Sequence, residues 1–121
     1  MADIFPGLRY QKPAVMIDWL GRAFGLREHF VARGADGAVH HAELAWGDGY
    51  VMLGPTRDGF PGGPGQLYLA VAPDDLDAHY ERAVAAGAQV VNKLEDLGYG
   101  RGYTVTDPEG NVWSFGTYRP S

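Results

Sequence analysis

Apolar positions along the chain alternate between two spacings, and the alternation runs twice in the same order. Gly7-Leu8-Arg9-Tyr10 has the every-second-residue pattern of a short strand. Lys12-Pro13 then opens a helix, because proline is tolerated in the first turn. Met16, Ile17, Leu20 and Phe24 form one helical stripe, and Gly25 supplies the stop. Residues 27 to 33 and 39 to 46 read as strands joined around Ala35-Asp36-Gly37, and Asp48-Gly49 is a hairpin signal before a strand at 50 to 53. From residue 66 the order repeats. Residues 66 to 71 alternate, and Pro73-Asp74-Asp75 places carboxylates at the start of a helix whose buried stripe is Leu76, Tyr80, Ala83 and Val84, with Gly87 as its stop. Strands follow at 89 to 93, 103 to 106 and 112 to 116, the last two joined by Asp107-Pro108-Glu109-Gly110.

The two halves therefore form a duplication. Gly49 and Val51 align with Gly110 and Val112, 61 residues later, and Gly25 aligns with Gly87, 62 residues later. This predicts an α+β fold of two tandem β-α-β-β-β units in a single domain, residues 1–121. Unit one spans 4–54, a linker 55–65 and unit two 66–118. Repeated units of this size bury their apolar faces against each other, so function is expected at the seam between them. The linker holds four glycines and three prolines, and residues 95 to 102 are also glycine-rich; both are expected to be loops able to cover or line a site.

Composition narrows the chemistry by exclusion. The chain has no cysteine, so it has no disulfide framework, thiolate nucleophile or sulfur-ligated metal. Its net charge of −5 and scattered Arg and Lys argue against nucleic acid, and point weakly to a cationic ligand. No apolar run approaches a membrane span, and Met1-Ala2-Asp3-Ile4-Phe5-Pro6 lacks the basic and apolar regions of a leader; a cytoplasmic protein is expected. No Gly-x-Ser-x-Gly elbow, His-Glu-x-x-His or phosphate-cradling Gly-Lys-Ser/Thr is present.

The β-α-β-β-β duplication, the Leu8-Arg9-Tyr10 opening, the His41-Ala42-Glu43-Leu44 strand and the terminal run Asp107 to Gly116 resemble the vicinal oxygen chelate superfamily of glyoxalase I, bleomycin-resistance proteins and extradiol dioxygenases. The resemblance implies curled mixed sheets around a cup-shaped cavity. It also implies that the superfamily's metal ligands, carried onto this chain, would fall at Phe5, Leu53 (or Met52 after a one-residue slip), Gln66 and Ser114. None of these is a histidine or a carboxylate, and a zinc, nickel or iron site needs several such donors. The resemblance is therefore closest to the metal-free, bleomycin-resistance-like branch, which implies a homodimer that sequesters a small molecule and carries no cofactor.

Face-counting selects the site candidates. His40 and His41 point to opposite faces of a strand, whereas His41 and Glu43 share one. If Leu44 packs on a helix, that pair faces the cup, where it could line it, hydrogen-bond a ligand, hold a relocated metal or act as an acid/base pair in a glyoxalase-like lyase or isomerase. Arg9 is expected to face inward as an anion or carbonyl anchor. Gln66 and Tyr68 share a face, and Tyr68 with Phe60, Tyr99 and Tyr103 is expected to line or roof the cup. The expected ligand contacts are thus Arg9, His41, Glu43, Gln66, Tyr68, Tyr99, Tyr103 and Ser114, around a hydrophobic or amphipathic molecule, cationic or aromatic. Trp113 and Phe115 are assigned to the core, Trp19 and Trp46 to core or interface, and His29 and His79 to the surface.

Overall fold

Each half of the chain folds into its own four-stranded sheet, and the computed structural model describes residues 2–121. Met1, at which the expectation about a leader begins, lies outside the described residues. The elements are β1 (Gly7–Tyr10), α1 (Pro13–Phe24), β2 (Arg27–Arg33), β3 (Val39–Trp46), β4 (Gly49–Pro55), β5 (Gln66–Ala70), α2 (Leu76–Ala85), β6 (Gln89–Asp96), β7 (Arg101–Thr106) and β8 (Val112–Gly116). The strand orders are β1-β4-β3-β2 and β5-β8-β7-β6. In each sheet the first strand runs parallel to the fourth and the other pairs are antiparallel. A parallel neighbour needs a crossover, and the helix supplies it.

The register defines two faces on each sheet. In the first, Leu8 lies opposite Leu53 and Leu53 opposite Ala42, all buried. In the second, Leu67 lies opposite Trp113 and Trp113 opposite Val105, while Leu69, Phe115 and Tyr103 form the next row. Both buried faces, with α1 and α2, belong to one core. Phe24 of α1 has its ring centroid 5.2 Å from that of Trp113 and 4.8 Å from that of Phe115, both on β8. At about 25 cal/mol per Å² and about 200 Å² per ring, each such aromatic contributes roughly 5 kcal/mol. A neutral hydrogen bond across the seam is worth about 1 kcal/mol, and one to a carboxylate about 1.5–3 kcal/mol.

Helix α1 depends on unit two at both ends. Lys12 contributes no side-chain cap; instead the Glu109 carboxylate accepts from the Gln11 and Lys12 amides at 2.7 and 2.9 Å. At the other end Gly25, at φ 81°, closes the helix, and the Arg82 guanidinium of α2 donates to the carbonyls of Arg22 and Gly21. The turn that carries Glu109 is fastened by Asp107. Its buried carboxylate accepts from the Tyr10 hydroxyl at 2.6 Å, the Trp113 indole at 3.0 Å and the amides of Glu109 and Asn111. Burial, reinforced by the charge of Asp107 and its hydrogen bond, raises the Tyr10 phenol far above its ordinary range.

Three expectations change. The glycine-rich stretch 95 to 102 is half strand: Glu95 pairs with Gly102 and Asp96 with Arg101, leaving a tight turn at 97 to 100 closed by the Leu97 amide on the Gly100 carbonyl. The backbone ladder simply continues through residues whose side chains carry no period. Val84 is exposed, because α2 is short and its apolar stripe is only Leu76 and Ala83, with Tyr80 packed alongside. His79 is not on the solvent side of α2, for reasons given below.

Candidate functional site

The face of each sheet away from the shared core is open, and most of the candidate residues stand there. On the first sheet Arg9 lies opposite Gly54, and His41 precedes Ala42, the residue opposite Leu53. Arg9, Gly54 and His41 thus form one row across β1, β4 and β3. Met52 and Glu43 are paired in the next row. Leu44 is buried against the core, which turns Glu43 outward. His41 Nε2 and Glu43 Oε2 are 2.9 Å apart, both partly exposed. Gly54 leaves room for Arg9: a Cβ there would come within 2.6 Å of an Arg9 terminal nitrogen, so the guanidinium would have to shift from where it lies across β4.

The second sheet repeats this plan with different chemistry. Tyr68 lies opposite Ser114, and Ser114 opposite Thr104, in the row that corresponds to Arg9, Gly54 and His41. Ser114 and Thr104 hydroxyls are 2.8 Å apart. Tyr68 leans over Gly116, where a Cβ would come within 2.8 Å of its hydroxyl, and donates to the Tyr118 carbonyl at 2.7 Å. Partial burial raises the Tyr68 phenol above its ordinary value. Tyr99 sits at the β6–β7 turn with its ring edge-on to Tyr118, 5.5 Å between centroids. A hollow of about 190 Å³ runs between these rings and Ser114 and Thr104. Gln66 is on the same face, opposite Val112.

Tyr103 departs from this group. Its row-mates Leu69 and Phe115 face the core, and so does its side chain, which stacks on Phe115 at 5.4 Å. Its hydroxyl meets His79 Nδ1 at 2.6 Å, while His79 Nε2 lies 2.7 Å from the Phe24 carbonyl. A carbonyl can only accept, so the proton is assigned to Nε2, and Nδ1 accepts from Tyr103. Phe24, Trp46, Tyr103 and Phe115 crowd the imidazole ring. Desolvation therefore lowers its pKa, with the charge of Arg82 adding to the effect. Burial, then Tyr80, raises the Tyr103 phenol.

A wider groove of about 710 Å³ follows the free edge of β5 and separates it from the β3–β4 hairpin. Trp46 spans its floor and donates from its indole to the Ala70 carbonyl at 2.9 Å. Phe24 and His79 also reach this groove, with Asp48, Asp75, Arg82 and Arg119 among its polar lining.

The four positions at which the superfamily's metal ligands would fall shift by one on β4. Leu53 faces the core, and Met52 and Gly54 take the open face. The duplication is staggered: Leu8 and Leu67 are 59 residues apart and Leu53 and Trp113 are 60 apart, so Ser114 corresponds to Gly54 and not to Leu53. The open faces carry one imidazole–carboxylate pair, His41 and Glu43. Among the described residues no three His, Cys, Asp or Glu side chains come together. Within one chain these donors do not fit a divalent cation.

Arg57, Thr104 and Tyr118 were not marked by the sequence. Thr104 follows from the β7–β8 turn once its register with Ser114 is counted. Arg57 and Tyr118 lie outside any periodic segment, so no pattern announces them.

The sequence profile described as Glyoxalase/Bleomycin resistance protein/Dioxygenase superfamily matches residues 5–115. An uncharacterised protein of Mycobacterium bovis is 36% identical over 123 aligned positions, covering 92% of this chain and 80% of its own length. The crystal structure of TioX from Micromonospora sp. ML1 superposes with a TM-score of 0.85 at 34% identity, over 98% of this chain and 100% of that one. TnmS3, an antibiotic binding protein from Streptomyces sp. CB03234, superposes with a TM-score of 0.77 over 100% of this chain and 98% of its own. Its 20% identity makes that a likeness of fold. With its two β-α-β-β-β units and a profile match across nearly its whole length, the chain belongs to the glyoxalase/bleomycin resistance protein/dioxygenase superfamily.

Proposed function

We propose that the chain binds an aromatic or amphipathic small molecule on its open sheet faces and sequesters it without a metal or chemical change, in the manner of a resistance protein. One observation carries this reading: large apolar side chains stand bare on or beside those faces. Tyr68 is 45% exposed, Tyr99 66% and Phe30 51%. An exposed set of rings with a few hydroxyls and one imidazole–carboxylate pair is the composition of a small-molecule site. The TnmS3 likeness adds that this fold can serve as an antibiotic-binding protein. Gln66, Ser114 and the His41–Glu43 pair would give polar contacts, and a cysteine-free chain suits the cytoplasm.

The test is equilibrium dialysis of purified protein against a panel of flat aromatic antibiotics, with mass spectrometry of the recovered ligand. Saturable binding with intact ligand is expected, and Tyr68→Ala should weaken it about tenfold, the loss of one stacked ring. Turnover of the bound compound would overturn the reading.

A second reading rests on the 2.9 Å His41–Glu43 pair, in which the carboxylate orients an imidazole able to move a proton in a lyase or isomerase. A metal relocated to that pair would need further donors from another chain. Stoichiometric metal lost in His41→Ala, or product formation lost in the same variant with folding retained, would favour this alternative.

A further inference from the structure

The most unusual charge arrangement on the molecule is beside the open face of the first sheet. The linker folds back so that Phe60 lies against Arg9, with the guanidinium carbon of Arg9 over its ring at 4.5 Å. The guanidinium of Arg57, from the same linker, lies over that ring at 4.5 Å as well. Two cations thus share one aromatic ring, and among the described residues neither is ion-paired to a carboxylate. The ion pairs among the described residues are Arg22 with Asp18 and Arg101 with Asp77, and the His41 imidazole lies 2.9 Å from the Glu43 carboxylate. Arg9 is half-buried, and among the described residues its one protein acceptor is the Pro55 carbonyl at 3.5 Å, so its guanidinium fork keeps donors free to meet a ligand. The acid on the same face, Glu43, is already bound to His41.

A chain of net charge −5 has ample carboxylates to neutralise two arginines, and here it does not. Like charges gathered on one ring repel each other, and an anion beside them relieves that repulsion. Gly54 accommodates the arrangement, because a side chain there would oblige the end of Arg9 to shift. Guanidinium forks match the geometry of carboxylate, sulfonate and phosphate oxygens. We infer that Arg9 and Arg57, held by Phe60, form an anion-binding site at the edge of the open face, and that the ligand is an aromatic or amphipathic molecule bearing an acidic group. This rests on the binding reading above and reverses the cationic ligand suggested by net charge.

The experiment compares two fluorescent probes with the same ring system, 8-anilinonaphthalene-1-sulfonate and the uncharged N-phenyl-1-naphthylamine. Wild-type protein should bind the sulfonate about tenfold more tightly than the neutral probe, the usual worth of a charge-assisted hydrogen bond. Arg9→Met and Arg57→Met should each erase most of that preference, read as the ratio of the sulfonate's affinity to the neutral probe's in the same variant. Gly54→Ala should erode it too, with both arginines still present, and circular dichroism confirms folding in each case. Raising salt from about 0.05 to about 0.5 M should weaken only the sulfonate. A structural role, in which the arginines merely pin the linker, would lower stability without moving the ratio of the two affinities. Equal affinity for both probes, unmoved by the arginine substitutions, overturns the anion site and leaves the binding reading standing. Failure of both probes to bind overturns both.

Discussion

At the scale of single residues, His79 shows how much a neighbour three strands away can decide. Its helix position beside Tyr80 suggests a solvated side chain, but β7 and β8 bring Tyr103 and Phe115 against it, and α1 brings Phe24. Its lowered pKa has a sign that can be tested. The unfolded chain takes up a proton near pH 6.5, whereas the folded imidazole resists it, so the stability it contributes is present above that pH and is lost as pH falls. The urea midpoint of the wild type should therefore drop between pH 7.5 and 5.5 by more than that of His79→Leu. The gap between the two proteins should narrow by at most about 1.4 kcal/mol per pH unit. Parallel pH profiles would show that His79 does not titrate as its packing requires. Leu53 makes the complementary point: a one-residue shift, invisible in a pattern with Met52 beside it, moves a side chain from one face of the sheet to the other.

At the scale of elements, strand cores were legible because their side chains alternate, and their ends were not. β6 and β7 extend to Asp96 and back to Arg101 through polar and glycine residues, because backbone pairing needs no particular side chain. Helix α1 was legible from its stripe, its Pro13 and its Gly25. The side chains that satisfy its ends were not, since Glu109 lies 97 residues from Lys12 and Arg82 lies 60 residues from Arg22. This interlock makes a prediction for the terminal turn. Glu109→Ala leaves the Gln11 and Lys12 amides to water, and should cost about 0.5–1 kcal/mol, lowering Tm by roughly 2–5 °C. Glu109→Gln, which keeps one acceptor oxygen, should recover part of the loss. A thermal melt unchanged by Glu109→Ala would mean that the contact contributes nothing to stability.

At the scale of the whole molecule, the two sheets put their buried faces into one core and turn their open faces away from it. Arg9, His41 and Glu43 therefore stand on one side, and Tyr68, Ser114 and Tyr99 on the other. A cup that uses both sets needs a second copy, whose second sheet would close over the first sheet of its partner. The outer strands support this, since Phe30 on β2 and Val90 and Val91 on β6 are bare. Sedimentation at micromolar concentration should give twice the 13.1 kDa mass of one chain. A single-chain mass would rule out a cup shared between copies, and each open face would then have to bind alone. Charge follows the same lesson: the net value is negative, yet the first open face gathers Arg9 and Arg57 on one ring.

By itself the sequence determined the duplicated β-α-β-β-β plan, the family it resembles, and the absence of ionisable donors at the expected metal positions. These depend on local period, turn chemistry and residue type, which a linear pattern records. Only the tertiary structure decided that Tyr103 and His79 pair in the core, that Ser114 matches Gly54, and that the linker carries Arg57 and Phe60 onto Arg9. Each of these depends on long-range register and on which elements share a core, and both are set by packing between residues far apart in the chain.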